Sequence, residues 1–255
     1  MNRIAYVDPG PPYPESNVIL EELNRVKHKD TQVDYVSLDR GPEHLSYRYY
    51  ESLIIPDVLH KLKSLEKENY DAAVIGCFYD PGLREAREIL NRMAVTAPGE
   101  ASFHLATTLG NNFSIIVMQA KGIPRVRENL AHHGFKNKLA SIKVLGMGVL
   151  DLHKDENYTF DLIQSKCTEA VANDYAEAIV LGCTMQFGFF ERLQKSLGVP
   201  VIDALVASLK YAELLAELKK RLGWHPTRKF GYEPPPVKEI REWKLAEQYG
   251  YKDNW

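Results

Sequence analysis

The chain has 255 residues, 45% of them apolar and 26% charged, enough for one large domain or two modest ones with ample core. A net charge of −2 gives no electrostatic reason to expect nucleic acid or an anionic membrane surface as a partner. Three cysteines without a CxxC pair argue against a disulfide scaffold or a zinc ribbon, and no apolar run approaches the roughly 18 residues of a membrane span.

In chain order, apolar runs alternate with amphipathic stretches. Strands are predicted at 4–8, 33–38, 73–78, 113–118, 144–149, 178–183 and 199–202. Helices are predicted at 15–28, 49–68, 82–93, 100–109, 122–133, 157–174, 187–197 and 203–222. Short strands that alternate with helices of about ten residues or more read as parallel β-α-β units, so the fold class is α/β. The opening run "MNRIAYVDPG" is too short and too soon interrupted for a signal peptide, and a cytoplasmic setting is expected. There is no P-loop and no HExxH, and His132 and His133 are adjacent, so a helix would point them apart. "GMG" at 146–148 lacks the rest of a dinucleotide fingerprint. No metal and no cofactor are expected.

Two stretches repeat one design. "YDAAVIGC" ends on Cys77 and "YAEAIVLGC" ends on Cys183, with 183 − 77 = 106 residues between the two thiols. Each is an apolar run closed by Gly-Cys and followed by a predicted helix. The spacing implies two pseudo-symmetric halves with parallel sheets, 1–97 and 98–204, the first completed by helix 205–222. Ligands of open α/β sheets bind outside the carboxyl ends of the strands. Cys77 and Cys183 are therefore expected to face one cleft between the halves. Gly76 and Gly182 are read as openings for close ligand approach. The helix N-termini that follow are expected to lower the thiol pKa values. A thiol on each face of a small molecule suits proton exchange at carbon: one thiolate removes a proton and the opposite thiol returns one.

"GCFYDPGLREARE" resembles the first cysteine motif of the hydantoin and allantoin racemases, in the aspartate/glutamate racemase superfamily. "EAIVLGCTM" resembles their second motif, "GEASFHLATTLGNNFSIIV" the segment between, and "LGVPVIDALVASLKYAELL" their closing strand and helix. The resemblance spans roughly residues 1–220. It implies two flavodoxin-like halves, cofactor-free racemisation of a small-molecule substrate, and catalytic roles for Cys77 and Cys183. The Asn-Pro-Asn-Thr loop usual after the first strand of that family is replaced here by Asp8-Pro9-Gly10-Pro11-Pro12-Tyr13. Substrate contacts are expected from Asp8, Phe78, Tyr79, Met118, Gln119, Gly182 and Thr184.

Glu100 is read as a helix cap, His104 as a packed helix residue, and Cys167 as structural within "LIQSKCTEAV". Two alternatives stay open: a decarboxylase or cis–trans isomerase that uses one cysteine, and a non-catalytic ligand-binding or assembly protein. The extension 223–255 carries the Pro234–Pro236 run and the tryptophans Trp224, Trp243 and Trp255. Its "VKEIREWKLAEQYG" has helical spacing. Docking on a neighbouring subunit or at the cleft mouth is expected, and a homo-oligomer with it.

Overall fold

The structure, a computed structural model, describes residues 1–14 and 16–251. Four parallel strands, β1 (Asn2–Asp8), β2 (Thr31–Ser37), β3 (Ala72–Ile75) and β4 (Ala94–Thr96), form a sheet in the order β2-β1-β3-β4. Four more, β5 (Phe113–Val117), β6 (Leu139–Val144), β7 (Ile179–Leu181) and β8 (Val201–Asp203), repeat that order as β6-β5-β7-β8. The chain is thus two flavodoxin-like halves of one design.

Side-chain alternation on the strands sets the layers. On β1, Ile4 and Tyr6 join one core with Ile19 and Leu23 of α1 (Ser16–Val26) and Leu205, Leu209 and Ala212 of α8 (Ala204–Leu222). Ala5 and Val7 face the other way, onto Ile54, Val58 and Leu62 of α2 (Arg48–Lys67) and Ala86 of α3 (Leu83–Ile89). In the second sheet, Ile115 and Val117 pack with Phe103 of α4 (Pro98–Leu109) and with Val126 and Leu130 of α5 (Ile123–His132). Ile116 packs with Ile163 and Cys167 of α6 (Glu156–Asp174) and Leu193 of α7 (Phe190–Leu197). Strands covered on both faces need continuous apolar character, which β3 and β7 have.

Two helices cross over. The helix after β4, α4, lies on the second sheet, and the helix after β8, α8, lies on the first. The two also pack against each other at the boundary between the halves. Asp203 starts α8 by accepting from the backbone N–H groups of Leu205 and Val206, and Gly223, left-handed at φ 68°, ends it.

Two strand predictions need correction. The sixth strand is Leu139–Val144, not 144–149. It is an edge strand with Ser141 and Lys143 among its half-buried residues, and the more apolar 145–150 forms the loop beyond it. The three-residue β4 escaped prediction, since its pairing with β3 rather than its own pattern makes it a strand. Among the described residues no helix is long and apolar enough to cross a membrane.

The extension forms α9 (Val237–Glu242) and α10 (Leu245–Tyr249). Arg228 Nη1 donates to the Arg87 and Glu88 carbonyls, the Tyr251 hydroxyl donates to Asp57, and the Tyr251 ring stacks on His60. The extension therefore docks on the outer side of α2 and α3 of its own chain, and none of its described residues lines the cleft. Trp224 and Trp243 are exposed. Trp255 and the predicted helix start at position 15 lie outside the described residues.

Candidate active site

β1, β3, β5 and β7 end on one side of the molecule, and their loops enclose a cavity of about 380 Å³ between the halves. That lies within the roughly 300–1,000 Å³ usual for small-molecule sites. The structure brings all the sequence-predicted site residues to its wall: Cys77, Cys183, Asp8, Phe78, Tyr79, Met118, Gln119, Gly182 and Thr184.

The glycine before each cysteine has a reason other than the one expected. A Cβ on Gly76 would lie 2.5 Å from Tyr6 Cε1 and 3.0 Å from the Val7 carbonyl oxygen. A Cβ on Gly182 would lie 2.8 Å from Ile115 Cγ2 and 2.9 Å from the Ile116 oxygen. The neighbouring strand, not the ligand, excludes a side chain. Gly76 N donates to the Val7 carbonyl and Gly182 N to the Ile116 carbonyl, so the same contact fixes each cysteine just past its ladder.

The thiols are not acidified. Burial pushes Cys183 up to about 11, against the pull of the Met185 and Gln186 backbone N–H groups. Burial raises Cys77 well above the ordinary thiol value, against the pull of the Tyr79 N–H. The expected lowering by a helix terminus fails because only a 3₁₀ turn (Thr184–Gln186) follows Cys183, and α3 begins six residues after Cys77. Charge on Cys183 raises Cys77 further, so the pair gives up one proton far more readily than two.

Asp8 sits at the carboxyl end of β1. Its Oδ2 accepts from the Tyr35 hydroxyl at 2.7 Å, and burial still raises its pKa to about 6. It is therefore mostly a carboxylate at neutral pH. The Tyr13 hydroxyl lies 3.1 Å from that of Tyr35 and donates to Met185 Sδ at 3.5 Å, a link from the first half to the second. Thr184, expected as a ligand contact, also donates across the boundary to the Gly76 carbonyl at 3.4 Å.

The loop after Cys77 is pinned from behind. Asp80 accepts from Gly99 N and Glu100 N, both at 2.8 Å, and so caps α4 from another segment. His133 Nε2 lies 3.2 Å from the same carboxylate, and Asn129 Nδ2 donates to the Tyr79 carbonyl. Glu100 is not the cap expected: it is buried and accepts from Arg87 at 2.6 Å and from Thr96. Ion pairs Arg48–Glu128 and Arg125–Glu51 join α2 to α5 beside this loop. His104 stacks on Tyr211, and Cys167 is buried in the second half's core.

Sequence reasoning passed over Tyr6, Tyr13, Tyr35, His153 and Met185, all of which line the cavity. A tyrosine inside the aliphatic run Ile4-Ala5-Tyr6-Val7 was the available signal. It also passed over Asp203 as a titrating group. Burial raises Asp203 to about 7 although three backbone N–H groups hold its carboxylate. An acid raised in the folded state supports folding below its unfolded value and withdraws that support as pH climbs through the folded value. Asp203→Asn keeps a capping side chain and loses the charge. Its stability advantage over wild type should grow from pH 4 to pH 7.5, by on the order of 3–4 kcal/mol at most. Denaturant unfolding at both pH values reads this, and a pH-independent difference would count against it. Among the described residues, no group of three or more His, Cys, Asp or Glu is arranged to hold a metal ion.

A model of the Asp/Glu/hydantoin racemase family matches residues 16–212. The chain is 34% identical over 232 residues to a hydantoin racemase of Pseudomonas sp. (strain NS671), covering 89% of this chain and 91% of that one. It is 33% identical over 242 residues to a hydantoin racemase of Paenarthrobacter aurescens, covering 93% and 99%. Among solved structures, the allantoin racemase from Klebsiella pneumoniae superposes with a TM-score of 0.86 at 27% identity, over 92% of this chain and 94% of that one.

Proposed function

This chain belongs to the Asp/Glu/hydantoin racemase family and is an isomerase, and from that premise we propose that it racemises a neutral cyclic ureide, a 5-substituted hydantoin, with Cys77 and Cys183 as paired acid and base and no cofactor. The observation that carries this reading is one thiol at the same place in each of two equivalent sheets, both on the wall of one cavity. A thiolate takes the C5 proton and becomes a thiol. The electron pair passes into the adjacent carbonyl. The opposite thiol delivers its proton to the other face of C5 and is left as the thiolate. The enzyme ends with the two roles exchanged, and the reverse reaction restores them. A one-cysteine reaction would leave the second thiol without a task.

The charge of the wall favours a neutral substrate. Asp8 and Glu43 are acidic, and Lys121 is the only Lys or Arg among the described residues that line the cavity. Its ammonium sits 3.1 Å from the centre of the Tyr47 ring. A dicarboxylate would meet the half-buried Asp8 carboxylate there with no guanidinium to hold it. Pro11, Pro12, Pro42 and Leu45 give the wall an apolar side for a 5-substituent.

The test is a substrate panel. Optically pure 5-benzylhydantoin should lose its rotation well above the uncatalysed rate, while aspartate, glutamate and phenylmalonate stay unchanged. Turnover of one of those anions with no effect on the hydantoin would reverse the reading.

A further inference from the structure

His153 lines the cavity, and the paired-thiol reaction gives it no task. It stands half-buried in the turn just before α6. Its ring stacks on Phe189 with centroids 5.9 Å apart and leans on Phe187 at 4.7 Å. Its Nε2 lies 2.9 Å from the Met185 carbonyl oxygen. A carbonyl only accepts, so Nε2 carries a hydrogen and donates. On the other side of the ring, Glu156 Oε1 lies 3.7 Å from Nδ1. The oxygen that His153 holds belongs to the same peptide unit as the Gln186 N–H. That unit is trans, so its oxygen and its hydrogen point in opposite directions. At the far end the Gln186 N–H reaches the Cys183 carbonyl oxygen at 3.0 Å and also pulls on the Cys183 sulfur, as does the Met185 N–H. A donor at the oxygen end of a peptide polarises it and strengthens the N–H at the other end, by roughly 10–30% per bond in a chain. The same turn is tied to the first half through Met185 Sδ and Tyr13, so His153 anchors it from the second half. Cys77 is served differently. The N–H that faces it is that of Tyr79, whereas Asn129 holds the Tyr79 carbonyl, an oxygen of the next peptide unit.

We infer that His153 is a positioning residue for Cys183: its Nε2–H holds and polarises the Met185–Gln186 peptide, so that the N–H at the other end stays on the Cys183 sulfur as that thiol gives up its proton. Help of this kind needs donors that are fixed before the charge develops. His153 acts through the backbone, and its effect is confined to one of the two thiols. The assignment rests on the fold around Cys183, and only its consequence for turnover rests on the racemase reading.

The experiment measures alkylation of each thiol alone by iodoacetamide at pH 8. Cys183 is followed in Cys77→Ala and Cys77 in Cys183→Ala, with peptide masses to set Cys167 aside. His153→Phe keeps a ring against Phe189 and removes the donor. It should slow alkylation of Cys183 about 10-fold, as for one weakened bond to a group that gathers charge, and leave Cys77 unchanged within about twofold. His153→Gln, whose side-chain N–H reaches about as far, should recover most of that loss. Should the Phe variant not fold, His153→Met, which also lacks a donor, takes its place. Equal rates for Cys183 with and without the donor, a like slowing of both thiols, or no recovery with Gln overturns the assignment. Exchange in D₂O should divide in the same way: His153→Phe slows it about 10-fold in Cys77→Ala and leaves it unchanged in Cys183→Ala. Alkylation that divides as expected in a protein that racemises no hydantoin overturns the racemase reading and leaves the His153 assignment standing.

Discussion

Cys77→Ala and Cys183→Ala are each expected to lose racemisation by ~10²–10⁴-fold, yet each should still exchange the C5 proton of one enantiomer with solvent deuterium. Each half presents its thiol from its own side of the cavity, so the survivor reaches one face of the substrate. As thiolate it removes the proton on that face, and after exchange it returns a deuteron to the same face. Inversion needs the missing partner and stops. The two variants should therefore label opposite enantiomers. Incubation in D₂O with chiral separation and mass measurement reads label and configuration together. If both variants labelled the same enantiomer, or one racemised as wild type does, the paired-thiol reading would fail.

The second large effect is on pH. Burial holds Cys183 near 11 and Cys77 well above its ordinary value, so at pH 7 the resting pair carries two protons. The paired acid and base proposed above need one. Below both thiol values the reactive fraction gains about tenfold per pH unit, so kcat/KM should climb roughly 100-fold from pH 7 to pH 9. Asp8, at about 6, is already mostly ionised across that span and adds little to the slope. The rise should level off at the first thiol's value and reverse above the second's. A profile flat from pH 7 to pH 9 would count against a resting pair that holds both protons.

The fold was largely legible because strand faces and helix stripes follow from local pattern. β1 alternates between two cores, and α8 carries its own cap and stop. What was misread depended on neighbours. β6 is an edge strand, bonded on one side only and half exposed, so its apolar signal is weaker than that of the loop after it. The cysteines were legible because each closes its own strand. Tyr6 was not, since its ring joins the cavity wall only where β1, β2 and the Gly76 turn meet. Asp80 was hidden for the same reason: the N–H groups it caps belong to residues 99 and 100. The thiol pKa values went the opposite way from expectation because burial, a property of the assembled cleft, outweighs the backbone N–H groups that adjacent sequence supplies.

The crossing of α4 and α8 also orders events during synthesis. Ile4, Tyr6, Val74 and Ala94 leave the ribosome early, but the helix that shields them is among the last segments made. Until residues 204–222 emerge, only α1 covers that face of the first sheet, and the part over Val74 and Ala94 stays open to water and to other chains. The first half cannot finish on its own, and the second half holds α4, which the first half supplied. The cleft comes into being only when both exchanges are complete, so neither thiol meets its partner in a partly made chain.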